Sequence, residues 1–557
     1  MSNLLTLRIL PEGKDVQVPR GIKCINIPWG HPIDGDMPVV VAKFNNHYMS
    51  LMETLEINGT IEAIKLGCFT GARVYRDSLI FLFELAARQE FPNRRIVIGH
   101  SLGHGFFYRF ADDGRPIQHE DVECMHNAIT ELVKKELAII PDVISWNDAI
   151  AYMKTLPFPS AAPLVEALNN PVVKIWRCNE YLTLRHNPLV QNTRVLTAFA
   201  VTFYQDGFLL RFPPSSTPHL LGPRDDEPKL FGIYEEHKKW GRILGVSNVA
   251  QLNTLALNRE RARDFIQTAE ALHNRKIAEL ANKISLRGNQ AKVVMISGPT
   301  SSGKTTFTKK LALSLKSLGL KPVHISLDDY YRERSDIPLD EEGKPDFEVL
   351  EALDIDLFNR NLDDLLAGKE AEIPIFDFKK VGGRLEKGRT MHLEDNSVLL
   401  LEGIHGLNPN LTPGMARGKT FRIYISALTQ LNISDHARIP TTDNRCIRRI
   451  VRDHQFRQYP AIATLKIWPS VRRGEKRHIF PYQSSADEMF NSALDYELAI
   501  LKIFAEPLLR TVNPDEEFYG EARRLMTFLE NFMPFPVEEV PELSIIREFI
   551  GRSGFRY

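Results

Sequence analysis

Residues 298–306 read Gly298-Pro299-Thr300-Ser301-Ser302-Gly303-Lys304-Thr305-Thr306, directly after the apolar run Val293-Val294-Met295-Ile296. A glycine-rich loop between a strand and a helix can turn its backbone N–H groups onto phosphate oxygens. Gly298 and Gly303 allow that curl. Lys304 would add positive charge near the β- and γ-phosphates of ATP, and Thr305 a hydroxyl for Mg²⁺. A helix from about residue 304 to 318 would aim its positive end at the same anion. Phe307, Leu311, Leu315 and Leu318 recur at spacings of four, four and three, which predicts one buried helix face.

Three other groups could complete a phosphoryl-transfer site. The strand pattern Val323 to Leu327 runs into Asp328-Asp329-Tyr330-Tyr331. A carboxylate beside a phosphate loop can accept or orient the proton of an attacking hydroxyl, although alone it would read equally well as a helix cap or surface turn. The run Val398-Leu399-Leu400-Leu401 ends in Glu402-Gly403, which places one acid where Mg²⁺ could be held directly or through water. Residues 445–478 carry ten Lys/Arg and two acids, Asp453 and Glu475. Arg445, Arg448, Arg449 and Arg452 share one helix face, where four guanidinium groups repel unless an anion lies between them. They read as a lid on the triphosphate, with Arg448 in catalysis and Arg445 and Arg449 on ATP. Arg472, Arg473 and Arg477 read as a Pro/Gly-containing loop of that lid. A solvated basic face or an RNA-binding patch is the competing reading, stronger for residues 472–477 than for 445–452.

These residues need elements to position them. From residue 291 strand and helix patterns alternate, with strands at 293–297, 322–327, 397–401 and 421–426, which predicts a parallel sheet covered on both faces. Ligands of such a sheet sit at the carboxyl ends of its strands. In the front half, Leu5, Leu7 and Ile9 alternate with Thr6 and Arg8, the period of a half-buried strand, and a second strand is expected around Val16 to Val18. Residues 78–88 read as a buried helix, Ile96 to Ile98 as a strand and 122–140 as a charged amphipathic helix. A mixed-charge helix from about 259 to 287 is expected to connect the two halves. At 557 residues the chain is long enough for three to four domains. Net charge is zero, so no global field recruits nucleic acid or membrane. Five scattered cysteines suggest reduced thiols in a cytoplasmic protein. No signal peptide and no membrane span are expected.

Through these motifs, residues 290–510 resemble the uridine kinase and phosphoribulokinase family. The markers are the phosphate loop, Asp328 to Tyr331, Asp346 to Asp354, Pro374 to Phe378, Glu402-Gly403-Ile404 and Arg445 to Asp453. The resemblance implies that Asp328 is the catalytic base and that Tyr331 lines the acceptor pocket. Glu348 stands where uridine kinases usually carry an Asp on the ribose hydroxyls. Phe376-Asp377-Phe378 matches the family's segment near the base. Lys379-Lys380-Val381 departs from the Ser and His usual there, so phosphotransfer is better supported than uridine as acceptor.

Residues 1–65 look like a TGS domain, a β-grasp module found in threonyl-tRNA synthetases. Residues 66–225 resemble the second additional domain of those enzymes, most clearly over Ile98 to Phe110. The editing H-x-x-x-H pair is absent from Tyr75 to Ile80, and Cys178 lies too far from Leu184-Arg185-His186. His100 and His104 have that spacing elsewhere and read as structural rather than zinc-binding. The expected organisation is therefore α/β: a β-grasp domain, an α+β domain, a helical connector at 226–288, a P-loop kinase domain at 289–510 with a parallel sheet, and a helical extension at 511–557. The implied function is ATP- and Mg²⁺-dependent phosphorylation of a nucleoside or similar small molecule. Rival readings are an RNA-binding regulator with an ATP switch, and a sugar-phosphate kinase.

Overall fold

The computed structural model describes residues 3–30, 34, 37–111, 115–224, 226–288, 292–377, 383–415 and 417–556. The front sheet holds β1 (Leu4–Leu10), β2 (Lys14–Pro19), β3 (Val39–Phe44), β4 (His47–Met49) and β5 (Gly59–Lys65) in the order β2-β1-β5-β3-β4. Within this front sheet, among the described residues, only the β1–β5 pairing is parallel. Leu5, Leu7 and Ile9 are buried and Arg8 faces out, as the alternation requires.

The next stretch contains α1 (Phe69–Glu90), β6 (Ile96–Leu102), β7 (Gly105–Phe110), α2 (His119–Lys134), β8 (Ile140–Ser145), α3 (Trp146–Lys154) and α4 (Ala162–Leu168). It continues with β9 (Val172–Cys178), β10 (Tyr181–Leu184), β11 (Ala200–Tyr204) and β12 (Gly207–Arg211). Two sheets result, β11-β12-β7-β6 and β10-β9-β8. The single helix expected over 122–140 is corrected. It stops at Lys134, Glu136 turns the chain at φ 48°, and Ile140–Ser145 pairs antiparallel with β9. Pro141 could not have continued the helix, because it has no N–H to donate.

Helices α5 (Pro228–Leu244), α6 (Val249–Ala256) and α7 (Arg259–Arg287) follow. The α7 residues Phe265, Ile266, Ile277 and Leu280 share one core with Val294, Phe307 and Leu311. The expected connector is thus a packed wall of the rear domain.

The rear domain comprises β13 (Val293–Ser297), α8 (Lys304–Ser317), β14 (Lys321–Ser326), α9 (Ile355–Leu366), β15 (Ala371–Ile373), β16 (Phe376–Asp377), β17 (Gly383–Arg384), β18 (Arg389–Met391), β19 (Ser397–Glu402) and β20 (Thr420–Ser426). It ends with α10 (Thr441–Arg457), α11 (Ala461–His478), β21 (Glu488–Asn491), α12 (Glu497–Leu509), α13 (Tyr519–Glu530) and α14 (Arg547–Ile550). The central sheet has the order β14-β19-β13-β20-β21, with every pairing parallel. Both faces are covered: Val294, Leu400 and Ile423 pack with α8, while Val293, Leu399 and Leu401 pack with α9. β21 was not expected, because four residues are too few to show a period. Phe307, Leu311 and Leu315 are buried, but Leu318 lies beyond the end of α8 and is 41 % exposed. Arg472, Arg473 and Arg477 lie in α11 rather than in a loop, although Pro469 sits within that helix. Among the described residues no helix is long and apolar enough to cross a membrane.

Candidate active site

The phosphate loop leaves β13 at the centre of the sheet. Gly298 has no room for a side chain, since a Cβ there would lie 2.0 Å from Ile425 O. Gly303 caps α8 at φ +82°, in the left-handed region that favours glycine. Lys304 Nζ donates to Gly298 O at 2.9 Å and Pro299 O at 3.2 Å, so the lysine lies along the loop. At the start of α8, Glu548 of the C-terminal segment accepts from Thr306 N–H at 3.1 Å and Thr306 Oγ1–H at 2.6 Å.

The arginine face of α10 braces this loop. Arg445 Nε donates to Thr300 O at 3.0 Å, Arg448 Nη1 to Ser301 O at 3.2 Å, and Arg449 Nη1 to Thr300 Oγ1 at 3.3 Å. Arg445 pairs with Glu475, Arg448 with Glu497, and Arg449 and Arg452 with Asp453. The idea that these four cations need an external anion is therefore corrected. Carboxylates from α10, α11 and α12 supply the counter-charge. Arg445 and Arg448 are fully buried, and their guanidinium groups hold the loop's backbone oxygens.

Glu402 ends β19 beside the loop, and Thr305 Oγ1 donates to its Oε1 at 3.0 Å. His324 Nε2 stands 3.8 Å from the same oxygen. Burial acts to raise the Glu402 pKa, but His324, Lys304 and Thr305 together hold it below its ordinary value. A hydroxyl and an ionised carboxylate are hard oxygen donors, the set that Mg²⁺ takes. Asp328 follows β14 in a short 3-10 turn, Leu327–Tyr330. Its side chain is open to the cleft. Crowding by the surrounding protein, then the like charge of Glu402, pushes its pKa up to about 6, against the pull of Lys304.

On the other side of Asp328, Tyr331 donates from its hydroxyl to Phe347 O at 2.9 Å, and its ring lies 5.7 Å from that of Phe376. Glu348 is nearby, with Oε2 buried and lacking a hydrogen-bond partner among the described residues. Burial pushes its pKa up to about 7, partly offset by Arg449. Asp377 is half-buried in β16, opposite Gly383 of β17. Phe378, Lys379, Lys380 and Val381 lie outside the described residues.

The expected residues thus gather at the carboxyl edge of one sheet, whereas the front-half histidines stay apart from it. His100 is buried, which lowers its pKa to about 3, and burial brings His186 to about 4. His104 lies edge-on to Phe212. Among the described residues no three His, Cys, Asp or Glu are grouped to hold a metal. Sequence reasoning missed Glu548, Glu497 and His324 as parts of the site. Strand alternation could have put His324 and Ser326 on one face, but Glu548 lies 242 residues from Thr306 with no local signal.

Residues 293–499 match the model of the "Phosphoribulokinase / Uridine kinase family". The chain is 29% identical over 164 residues to a threonine–tRNA ligase of Syntrophotalea carbinolica, covering 29% of this chain and 26% of that protein. It is 31% identical over 133 residues to that of Azoarcus sp., covering 24% of this chain and 21% of that protein. It spans about a quarter of the length of these relatives. A solved structure from Bacillus stearothermophilus, described as a possible uridine kinase, superposes with a TM-score of 0.27 at 18% identity, covering 39% of this chain and 98% of that one. So low a score adds nothing to the family match. Residues 293–499 therefore form a domain of the phosphoribulokinase and uridine kinase family, behind a front region similar in sequence to threonine–tRNA ligases.

Proposed function

We propose that the chain is an ATP-dependent kinase that phosphorylates a hydroxyl of a nucleoside or similar small molecule. One observation carries this reading: the sheet brings Lys304, Thr305 and Glu402 to the same edge as Asp328, with Tyr331 and Glu348 beside it. ATP's phosphates would take the N–H groups of residues 298–306. Lys304 would leave Gly298 O and Pro299 O to meet the transferred phosphoryl group. Asp328, with a pKa near 6, is ionised at neutral pH and basic enough to take the proton of an attacking hydroxyl. Thr305 and Glu402 would hold Mg²⁺, which when bound would neutralise charge on the phosphate oxygens. Tyr331, Phe376 and Asp377 supply the acceptor wall, and the polar atom left free on Glu348 suits an acceptor hydroxyl.

The test is ADP production from MgATP across nucleosides, nucleotides and sugar phosphates, with Lys304→Ala as blank. Stimulation by one nucleoside, lost in the blank, supports the reading. A sugar phosphate as the stimulating acceptor would keep the kinase and replace the nucleoside. Slow turnover indifferent to every acceptor but raised by tRNA would replace it with an RNA-coupled switch.

A further inference from the structure

A cavity of about 640 Å³ lies between the front region and the rear domain. Its walls come from α1, from the segment before α10, from α11 and from the end of β20. It is rich in cations, and its three carboxylates, Asp77, Glu227 and Asp443, each have a hydrogen-bond partner in the cavity wall. Asp443 accepts two hydrogen bonds from Arg524, at 2.6 and 2.8 Å. Glu227 accepts from Gln483, and Asp77 from Asn187. What remains is a group of four: Arg76, Arg438, Arg472 and Lys476.

Among the described residues, Arg76, Arg438 and Lys476 form no ion pair. Arg76 Nε donates to Ala72 O of its own helix, and its guanidinium lies over the Phe212 ring at 5.4 Å. Arg438 lies over Phe106 at 5.3 Å. The nearest carboxylate to Arg472 is Glu475 at 4.0 Å, which already pairs with Arg445. Arg472 Nε is buried without a hydrogen-bond partner. Burial, opposed by Glu475 and Asp443 and reinforced by Arg445 and Arg76, brings Arg472 down to about 10. Burial also brings Arg438 down to about 10, against the attraction of Tyr108, Asp443 and Asp77. Lys476 is lowered by burial and by repulsion from Arg472 and Arg76. Clustered cations repel, and a cavity whose cations outnumber its carboxylates suits an anion.

We propose that this cavity binds a phosphorylated small molecule of nucleotide size, held by Arg76, Arg438, Arg472 and Lys476. Guanidinium groups match phosphate oxygens in pairs, and a cavity of this volume falls in the range of small-ligand sites. The Phe212 and Phe106 rings face the guanidinium planes of Arg76 and Arg438, and such ring contacts leave the in-plane Nη donors available. The ligand would touch both regions at once. Arg445 borders the same cavity and donates to Thr300 O, so occupancy would be felt at the phosphate loop.

The experiment is titration calorimetry on the full chain with inorganic pyrophosphate, AMP and UMP as probes. It uses wild type, Arg76→Gln, Lys476→Gln and, as control, Arg473→Gln, an α11 cation that pairs with Glu342 outside the cavity. Lys304→Ala serves as a background in which the kinase site is damaged. At least one phosphate probe should bind the Lys304→Ala protein. Its Kd should rise about tenfold or more in Arg76→Gln and Lys476→Gln on that background and stay within about twofold in Arg473→Gln, and added salt should weaken it. Circular dichroism of each variant excludes unfolding as the cause. Equal affinity in all variants would overturn the proposal. So would tRNA binding that depends on Arg76 and Lys476 while none of the small probes binds. Failure of the kinase assay would leave the binding result intact.

Discussion

Glu548 and Thr306 are 242 residues apart, yet one carboxylate oxygen takes both the backbone N–H and the hydroxyl of Thr306. These donors open α8, where a phosphate loop presents N–H groups to the α- and β-phosphates. The C-terminal segment therefore holds, with its own negative charge, a position that a nucleotide phosphate would take. Ile545 packs at Gly303, and Arg448 lies over the Phe549 ring at 4.9 Å, which anchors that segment against the loop.

Removing that charge should favour nucleotide. Glu548→Gln is expected to lower the Kd for MgATP by about tenfold, the scale of one charge-assisted hydrogen bond less to displace. Calorimetry with MgATP checks it. Unchanged or weaker binding would make Glu548 a brace of the helix rather than a competitor of phosphate.

In the proposed mechanism Asp328 would link rate to pH. As the base it must be ionised, so kcat/KM should fall as pH drops through about 6. Asp328→Asn should cut kcat by roughly 10²- to 10⁴-fold with ATP affinity largely kept. A pH profile with no limb near 6 would remove Asp328 from that role.

The same raised pKa has a consequence for stability. A carboxyl raised in the fold binds its proton more tightly folded than unfolded. Its contribution is therefore most favourable below the unfolded value of about 4 and declines as pH rises through the folded value of about 6. Asp328→Asn should accordingly melt at a higher temperature than wild type at pH 7.5, with the difference shrinking towards pH 4. A lower Tm at pH 7.5 would contradict this sign.

Arg448 is buried against Glu497 and three oxygens, Ser301 O, Ser492 O and Ser492 Oγ. Removing it would leave Glu497 uncompensated in the interior. Arg448→Gln should cost about 3–5 kcal/mol by denaturant unfolding. A variant of native stability that has lost kcat would instead put Arg448 in direct contact with the transferred phosphate.

Gly298→Ala should abolish MgATP binding, because its Cβ would meet the Ile425 carbonyl at 2.0 Å, a backbone atom that cannot swing away. Near-normal affinity would show that the loop tolerates displacement from β20.

Local pattern carried much of this protein. The phosphate loop, the four longer strands of the rear sheet and the acids at the ends of β14 and β19 were legible because each depends on neighbours in the chain: an apolar period, a glycine, a strand end. The partners of charges were not legible, because they depend on which distant helices pack together. Arg445, Arg448 and Arg449 looked unpaired in sequence, and Glu475, Glu497 and Asp453 became their counter-charges only once α10, α11 and α12 met. Burial then made those pairings obligatory, since an unpaired charge cannot be left inside. In the same way, only tertiary packing seated Glu548 on Thr306 and brought Arg76 of α1 near Arg472 and Lys476 of α11.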